Sequence, residues 1–409
     1  MQALYKTLEN YISKNKYPFH MPGHKGNTAF LPPVPLLQLD LTELDTLDNL
    51  HSPNSCIKAT QQRIADFYGA DFSFLLVNGS TAGIIAAIIT TCNENTTIAV
   101  DRNCHKSVYN GLILSGAKPV YFLPKIQPPP LTDVTIVTSP TYLGNVLNIA
   151  EIAEKSQLLI VDEAHGAHFA FNKIFPKSAL TQGADIVVHS FHKTLPAFSQ
   201  SAALHVKGDK LDIFKLKQAL SMVQTSSPSY MIMSTTDYML DLLQNDNRYF
   251  ERYVENLLKL RASLKDRIIP TDDISKILLN IPKNENWLDK SQLAFEMITE
   301  KYTLAMTSVA DKQEGFELLQ KEVDKIKFEP PLFSESEIFL PKVIFTPKEF
   351  FEKSKKICKA SLAESVGKIS AEFLAPVPPG IPILAPGEEI TENIAKIYPN
   401  CKIAVLQEM

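Results

Sequence analysis

Four short stretches of this chain hold residue types that do chemistry in combination. SFHKTLPAFSQSA, residues 190–202, carries Lys193 directly after Ser-x-His. A lysine held away from water gives up its proton readily and becomes a nucleophile toward carbonyl carbon. DEAHGAH, residues 162–168, opens on Asp162, a carboxylate able to keep a ring nitrogen protonated. VNGSTAG, residues 77–83, offers the hydroxyls of Ser80 and Thr81 beside backbone N–H groups, a natural phosphate site where a helix begins. DRNCHKS, residues 101–107, offers His105, whose flat ring suits an aromatic ligand. Taken singly, each has an ordinary reading: a surface lysine, a satisfied loop carboxylate, a turn with a helix cap, a core or capping histidine.

The elements that must position them are legible as continuous apolar runs. Residues 74–77, 98–100, 120–122, 134–137, 158–161 and 186–188 are rich in β-branched types, as parallel strands covered on both faces should be. Helical patterns at 83–91 and 149–155 lie between them, which predicts an α/β layout around a mainly parallel sheet. Each chemical stretch follows the end of one of these runs. Ligands of open α/β sheets bind beyond the carboxyl ends of the strands, so all four stretches should meet at one sheet edge. A phosphate cradle, an acid for a ring nitrogen, a stacking ring and an amine together match what pyridoxal 5'-phosphate requires, with Lys193 as the imine-forming lysine.

Past about Asp237 long helical segments are predicted at 248–268 and 289–302, followed by a mixed region. The expected organisation is an N-terminal arm over 1–40, a cofactor-binding large domain over 41–240 and a smaller C-terminal α+β domain over 241–409. The arm, before about Asp40, reads as lying outside the core, and 17–26, with two prolines and two glycines, as a poor strand or helix. At 409 residues the chain is long enough for at least two structural units. A net charge of -4, with no polybasic stretch, points away from nucleic acid and membrane surfaces. The letters DEAH occur without a G-x-x-x-x-G-K-[ST] loop, which rejects a helicase reading, and G-x-G-x-x-G is missing too. His165 and His168 lack a third ligand at metal-site spacing, so no metal is expected. There is no apolar signal core, and five unpatterned cysteines read as free thiols of a cytoplasmic protein.

The motifs also run in a recognisable order. FHMPGHKG (19–26), LDNLHSP (47–53), VNGSTAG, DRNCHKS, TSPTYLG (138–144), DEAHGAH, SFHKTLPAFSQSA and PPGIPILAPGE (378–388) span nearly the whole chain. In this set the chain resembles the ornithine/lysine/arginine decarboxylases. The resemblance implies the aspartate-aminotransferase-like fold, PLP-dependent transferase fold type I, and α-decarboxylation of lysine, arginine or ornithine toward polyamine biosynthesis. It implies that Lys193 bonds the cofactor aldehyde, Asp162 pairs with the ring nitrogen, and Ser80, Thr81, Ser190 and His192 surround the phosphate. His105 would stack on the ring, Ala164 and His165 would line its other side, and Lys193 or His192 would return a proton to the substrate carbon. His24, Tyr142 and Glu388 fall toward the substrate end, and the PGHKG arm toward a two-fold interface of a homodimer. Three departures stand out: no wing domain precedes the arm, which argues against large rings; the connection between 120 and 139 is short and holds three successive prolines; and Val377 stands where many relatives have tyrosine. The same scaffold supports transamination and aldol cleavage, and a non-catalytic regulatory member is the remaining alternative.

Overall fold

Six of the seven strands in the sheet that organises the molecule form at the apolar runs noted above. The computed structural model describes residues 3–44, 47–283, 285–326, 340–353, 356–375 and 380–407. In chain order, α1 (Ala3–Ser13) and β1 (Tyr17–Phe19) precede α2 (Cys56–Tyr68). The core alternation follows: β2 (Phe72–Leu76), α3 (Gly79–Thr91), β3 (Thr97–Asp101), α4 (Lys106–Ser115), β4 (Lys118–Phe122), β5 (Val134–Thr138), α5 (Ile149–Glu154) and β6 (Leu159–Asp162). It closes with β7 (Ile186–Ser190), the single turn α6 (Phe191–Thr194) and β8 (Ala202–Val206).

The sheet order is β2-β8-β7-β6-β5-β3-β4. Strands β7, β6, β5, β3 and β4 run parallel, and β8 runs antiparallel to both β7 and β2. The mainly parallel α/β fold expected from the sequence is therefore present. β8 is an addition to it: a short return strand that completes the loop carrying Lys193. Helix α3, GSTAGIIAAIITT, is apolar nearly all round and is accordingly buried, packing on α4, α7 (Ile213–Val223) and the sheet. Its Ile84 and Ile88 are shielded completely, each contributing roughly 1.5–3 kcal/mol. β4 passes to β5 without an intervening helix, as the three prolines there suggest.

Helices α8 (Tyr230–Asn245) and α9 (Arg248–Leu264) lead to a second sheet, antiparallel, of order β12-β13-β10-β9. Its strands are β9 (Ile268–Ile269), β10 (Lys276–Leu279), β12 (Met297–Ile298) and β13 (Thr303–Met306). The helix expected over 289–302 is not formed. Instead α10 (Glu285–Lys290) ends, β11 (Leu293–Phe295) pairs in parallel with β1, and β12 pairs with β13. Pairing partners from elsewhere in the chain outweigh the local helical preference of this stretch. The helix expected to reach 268 stops at Leu264, ahead of β9. After α11 (Gln313–Asp324) and α12 (Pro347–Lys353), β14 (Ile357–Ser361) pairs with β15 (Lys402–Leu406), with the short α13 (Glu392–Ile397) between them.

The N-terminal segment is not the free arm expected. β1 forms within the stretch read as a poor strand, and Phe19 is 0% exposed in the main core, with Phe30 beside it. α1 has no buried residue, with Leu4, Tyr5, Leu8 and Ile12 exposed, and meets the segment after it where Tyr11 Oη lies 2.6 Å from His20 Nε2. The PGHKG segment docks on the turn that carries Lys193: Gly23 N–H donates to the His192 carbonyl at 2.7 Å, and a Cβ at Gly23 would lie 2.5 Å from the Leu195 carbonyl oxygen. The LDNLHSP motif has a structural job. The Asp48 carboxylate accepts from the backbone N–H groups of Asn54, Ser55, Ile57 and Lys58, which fixes the start of α2. Val377 lies outside the described residues. Among the described residues no helix is long and apolar enough to cross a membrane.

Candidate active site

At the carboxyl edge of the large sheet lies a cavity of about 360 Å³, within the roughly 300–1,000 Å³ typical of small-molecule sites. The strand-end rule put Asp162, Lys193 and His105 here, and all three line it. Ser80, Thr81, Tyr142, Ala164, His165 and His192 line it as well.

Lys193 sits in α6, one turn after β7. The side chain is half-buried, open only where it faces the cavity, and burial lowers the pKa of its amine, with Asp162 and Glu296 opposing. Its hydrogen-bond partner is His165 Nε2 at 3.2 Å, and among the described residues no carboxylate forms an ion pair with it. An amine so placed is available to a carbonyl compound rather than locked in a salt bridge. Next to it, His192 Nδ1 lies 3.0 Å from the Ser201 carbonyl, which makes that nitrogen the donor and leaves Nε2 as a lone pair. Burial carries the His192 pKa down to about 4, so the ring is neutral at physiological pH.

Asp162 ends β6, buried, and accepts from Ala164 N–H at 3.2 Å. The phosphate-type subsite lies at the opposite wall. Helix α3 is thirteen residues long and takes no side-chain cap from Asn78; its first N–H, of Gly79, donates to the Gln200 carbonyl at 3.0 Å, and Gly79, Ser80 and Thr81 line the cavity. Ser190 is not in the cavity wall but donates from Oγ to Ser80 Oγ at 2.8 Å, orienting that hydroxyl. His105 is both a cap and a wall. Its Nδ1 accepts from Ser107 N–H at 3.2 Å, capping α4, which leaves the proton on Nε2. Burial lowers its pKa, Asp162 opposing, and the ring is a neutral flat surface. A helix N-terminus with hydroxyls, a buried carboxylate, a flat neutral imidazole and an amine without a carboxylate partner fit pyridoxal 5'-phosphate. Substituting His105 with alanine should weaken cofactor binding about fivefold, since a stacking contact contributes about 1 kcal/mol. Equilibrium dialysis measures it, and full occupancy with complete inactivity would assign His105 a chemical role instead.

Two of the expected substrate-side residues, His24 and Glu388, are not part of the cavity wall. His24 is outside the cavity wall; its Nδ1 accepts from Gly26 N–H and its ring meets Phe198 edge-on. Glu388 is buried in an ion pair with Arg102 at 3.0 Å, away from the cavity, and ties residues 383–388 to the end of β3. Tyr142 lines the cavity and donates its hydroxyl proton to Glu296 Oε1. Sequence reasoning missed Glu296 and Lys276, both delivered by the second sheet region, and Thr138, Asn103, Gln200 and Ile381 in the wall. Thr138 and Asn103 carried a usable signal, since each follows an apolar strand run.

Behind the cavity, Glu163 accepts from Ser178 Oγ and Ala179 N–H and lies 2.7 Å from His189 Nε2. Burial raises the Glu163 pKa to about 8 and lowers the His189 pKa to about 3, so near neutrality the pair is a neutral acid beside a neutral imidazole. The folded chain holds the Glu163 proton that the unfolded chain releases near its ordinary value of 4.5. Its contribution is therefore full below about pH 4.5 and is lost as pH rises toward 8. Glu163→Gln, which mimics the neutral acid, should gain in stability relative to wild type between pH 5 and pH 8. Urea melts at both values check this, and a pH-independent difference would contradict it.

With this geometry in place, the relatives can be compared. The sequence model of the Orn/Lys/Arg decarboxylase major domain matches residues 2–129 and 126–327, and that of the Orn/Lys/Arg decarboxylase C-terminal domain matches 332–403. This chain belongs to the Orn/Lys/Arg decarboxylase family. Its similar relatives include the uncharacterized protein YaaO of Bacillus subtilis, 32% identical with 96% of this chain and 93% of the relative covered. An arginine decarboxylase of the same organism is 28% identical, with 97% and 93% covered. Among solved structures, the constitutive lysine decarboxylase of E. coli superposes with a TM-score of 0.73 at 19% identity, over 100% of this chain and 82% of the other. A serine palmitoyltransferase from Sphingomonas wittichii superposes with a TM-score of 0.58 at 15% identity, over 76% and 86%. These likenesses show the fold, that of the PLP-dependent transferases of fold type I.

Proposed function

We propose that this chain is a pyridoxal-phosphate-dependent α-decarboxylase of a cationic amino acid: lysine, arginine or ornithine. The observation that carries the reading is Lys193, an amine of lowered pKa without a carboxylate partner, sharing one cavity with Asp162 and His105. Family membership supports the reaction class, and the arginine and lysine decarboxylases among the relatives support a cationic substrate. When bound, the cofactor supplies the electron sink that accepts the pair left by departing CO2.

The residues of this chain do the rest. The α3 N-terminus with Ser80 and Thr81 binds the phosphate, and Ser190 orients Ser80. Asp162 holds the proton at the ring nitrogen. His105, Ala164 and His165, which line the same cavity, would hold the ring between them. Lys193, an amine without a carboxylate partner in the cavity, would be the group that holds the cofactor through its aldehyde. Lys193 or His192 returns the proton to the substrate carbon. Tyr142, held by Glu296, faces the substrate side of the cavity.

We further propose a homodimer, on the exposed apolar face of α1 that nothing among the described residues covers; a monomer by light scattering removes this. The free cysteines support a cytoplasmic setting. The deciding experiment for the activity is an amine-product and CO2 screen over lysine, arginine and ornithine with added pyridoxal phosphate. Keto-acid release without CO2 would replace the decarboxylase reading with an aminotransferase.

A further inference from the structure

A second lysine reaches this site from a strand far away in sequence. Lys276 opens β10 and is 0% exposed, and its Nζ lies 3.1 Å from His165 Nδ1. The other nitrogen of the same ring, Nε2, lies 3.2 Å from Lys193 Nζ. One imidazole therefore bridges two amines. The stem of Lys276 is pressed into place by Gly144, where φ is +96° and a Cβ would lie 2.8 Å from the lysine Cγ.

Proton arithmetic restricts this arrangement. A neutral imidazole has one N–H and one lone pair, and an ammonium can only donate. If both lysines were ammonium ions, the imidazole N–H would point at a donor. Both contacts are satisfied only when one lysine is a neutral amine that accepts from the ring. With the other lysine an ammonium ion, two arrangements meet that condition. In the first, Lys193 ammonium donates to Nε2 and Nδ1–H donates to neutral Lys276. In the second, Nε2–H donates to neutral Lys193 and Lys276 ammonium donates to Nδ1. They interconvert when one proton moves onto Nε2 and another leaves Nδ1, with no net charge gained or lost.

We infer that Lys193, His165 and Lys276 form a relay holding one proton between two amines, with Lys276 as the positioning residue that leaves Lys193 a free nucleophile. Its surroundings agree. Lys276 is faced by Asp273 and Glu296, which favour its charged form, and by Lys193 and Lys25, which oppose it. Lys193 is faced by Asp162 and Glu296. Asp273 is held by His168 at 3.1 Å. Burial brings the Lys276 pKa down to about 8, close enough to neutrality for exchange, and drives that of His165 well below its usual value, keeping the bridge neutral. The relay rests on Lys193 being the imine-forming amine, and not on which reaction follows.

The test needs no turnover. Cofactor-stripped protein is mixed with pyridoxal 5'-phosphate, without amino acid, and the rate at which imine absorbance develops is followed from pH 6 to 10. Lys276→Met should move the midpoint of the profile upward by about one pH unit, a tenfold slower rate below it. Lys276→Arg should not restore it, because a guanidinium cannot accept the proton. His165→Phe should produce the same shift, and the double variant Lys276→Met with His165→Phe no more. An unshifted profile in Lys276→Met, or additive shifts in the double variant, overturns the relay while leaving Lys193 as the imine former. No imine in the wild type overturns both. Should the variants fail to fold, the wild type decides alone: in 15N-lysine spectra the two Nζ signals should move together on loss of a single proton, and two independent titrations overturn the relay.

Discussion

Lys193→Ala protein, mixed with pyridoxal phosphate, should develop no imine absorbance and should lose at least about a thousandfold in turnover, as removal of a covalent nucleophile does. The strength of the expectation lies in the surroundings. The other amine near the cavity, Lys276, sits beyond His165 and is pinned under Gly144, so it is not free to take over. The phosphate-type subsite does not involve Lys193, so the variant should still bind the cofactor, non-covalently, and fluorescence of the bound ring separates binding from bonding. An unchanged imine band in Lys193→Ala would move the role to another lysine.

Asp162→Asn should keep the imine band and lose about a hundredfold to a thousandfold in turnover, the usual cost of removing one well-placed electrostatic partner. An amide cannot hold the ring nitrogen protonated, yet it matches the carboxylate in shape and retains an oxygen for Ala164 N–H. Binding should therefore change little while turnover collapses. Near-normal turnover would mean that the ring nitrogen finds another partner.

Most of the large sheet and half of the site were readable because both follow from one rule. Continuous β-branched runs become buried parallel strands, and residues just past their ends collect at one edge. Asp162, His105, Ser80 and Lys193 all obey it. What escaped were contributions whose cause is tertiary. β8 is short and made largely of small residues, and it becomes a strand because β7 and β2 both pair with it. The stretch 293–298 alternates too briefly to announce two strands, and their partners, β1 and β13, are separate segments of the chain. Lys276 looks like a charge at the start of KILL; only the approach of the second sheet to His165 makes it a partner of the site. Glu388 was read through its motif as a substrate contact, and Arg102, at the end of β3, claims it. His24 was placed by the same motif logic, but Gly23 is the member of PGHKG that reaches the Lys193 turn, through its backbone.

The residues between β7 and β8 form a loop whose two ends are neighbouring interior strands of the large sheet. Such a loop is clamped at both feet by strand pairing that only opening of the sheet releases. Lys193 therefore works from a fixed pedestal. Its backbone is held by these two strands whatever the amine meets in the cavity. The whole stroke is rotation about the side-chain bonds, within a sphere whose radius is the length of a lysine. On the proposed function, entry and exit of substrate would be accommodated by the walls contributed from outside the large sheet, among them Ile381.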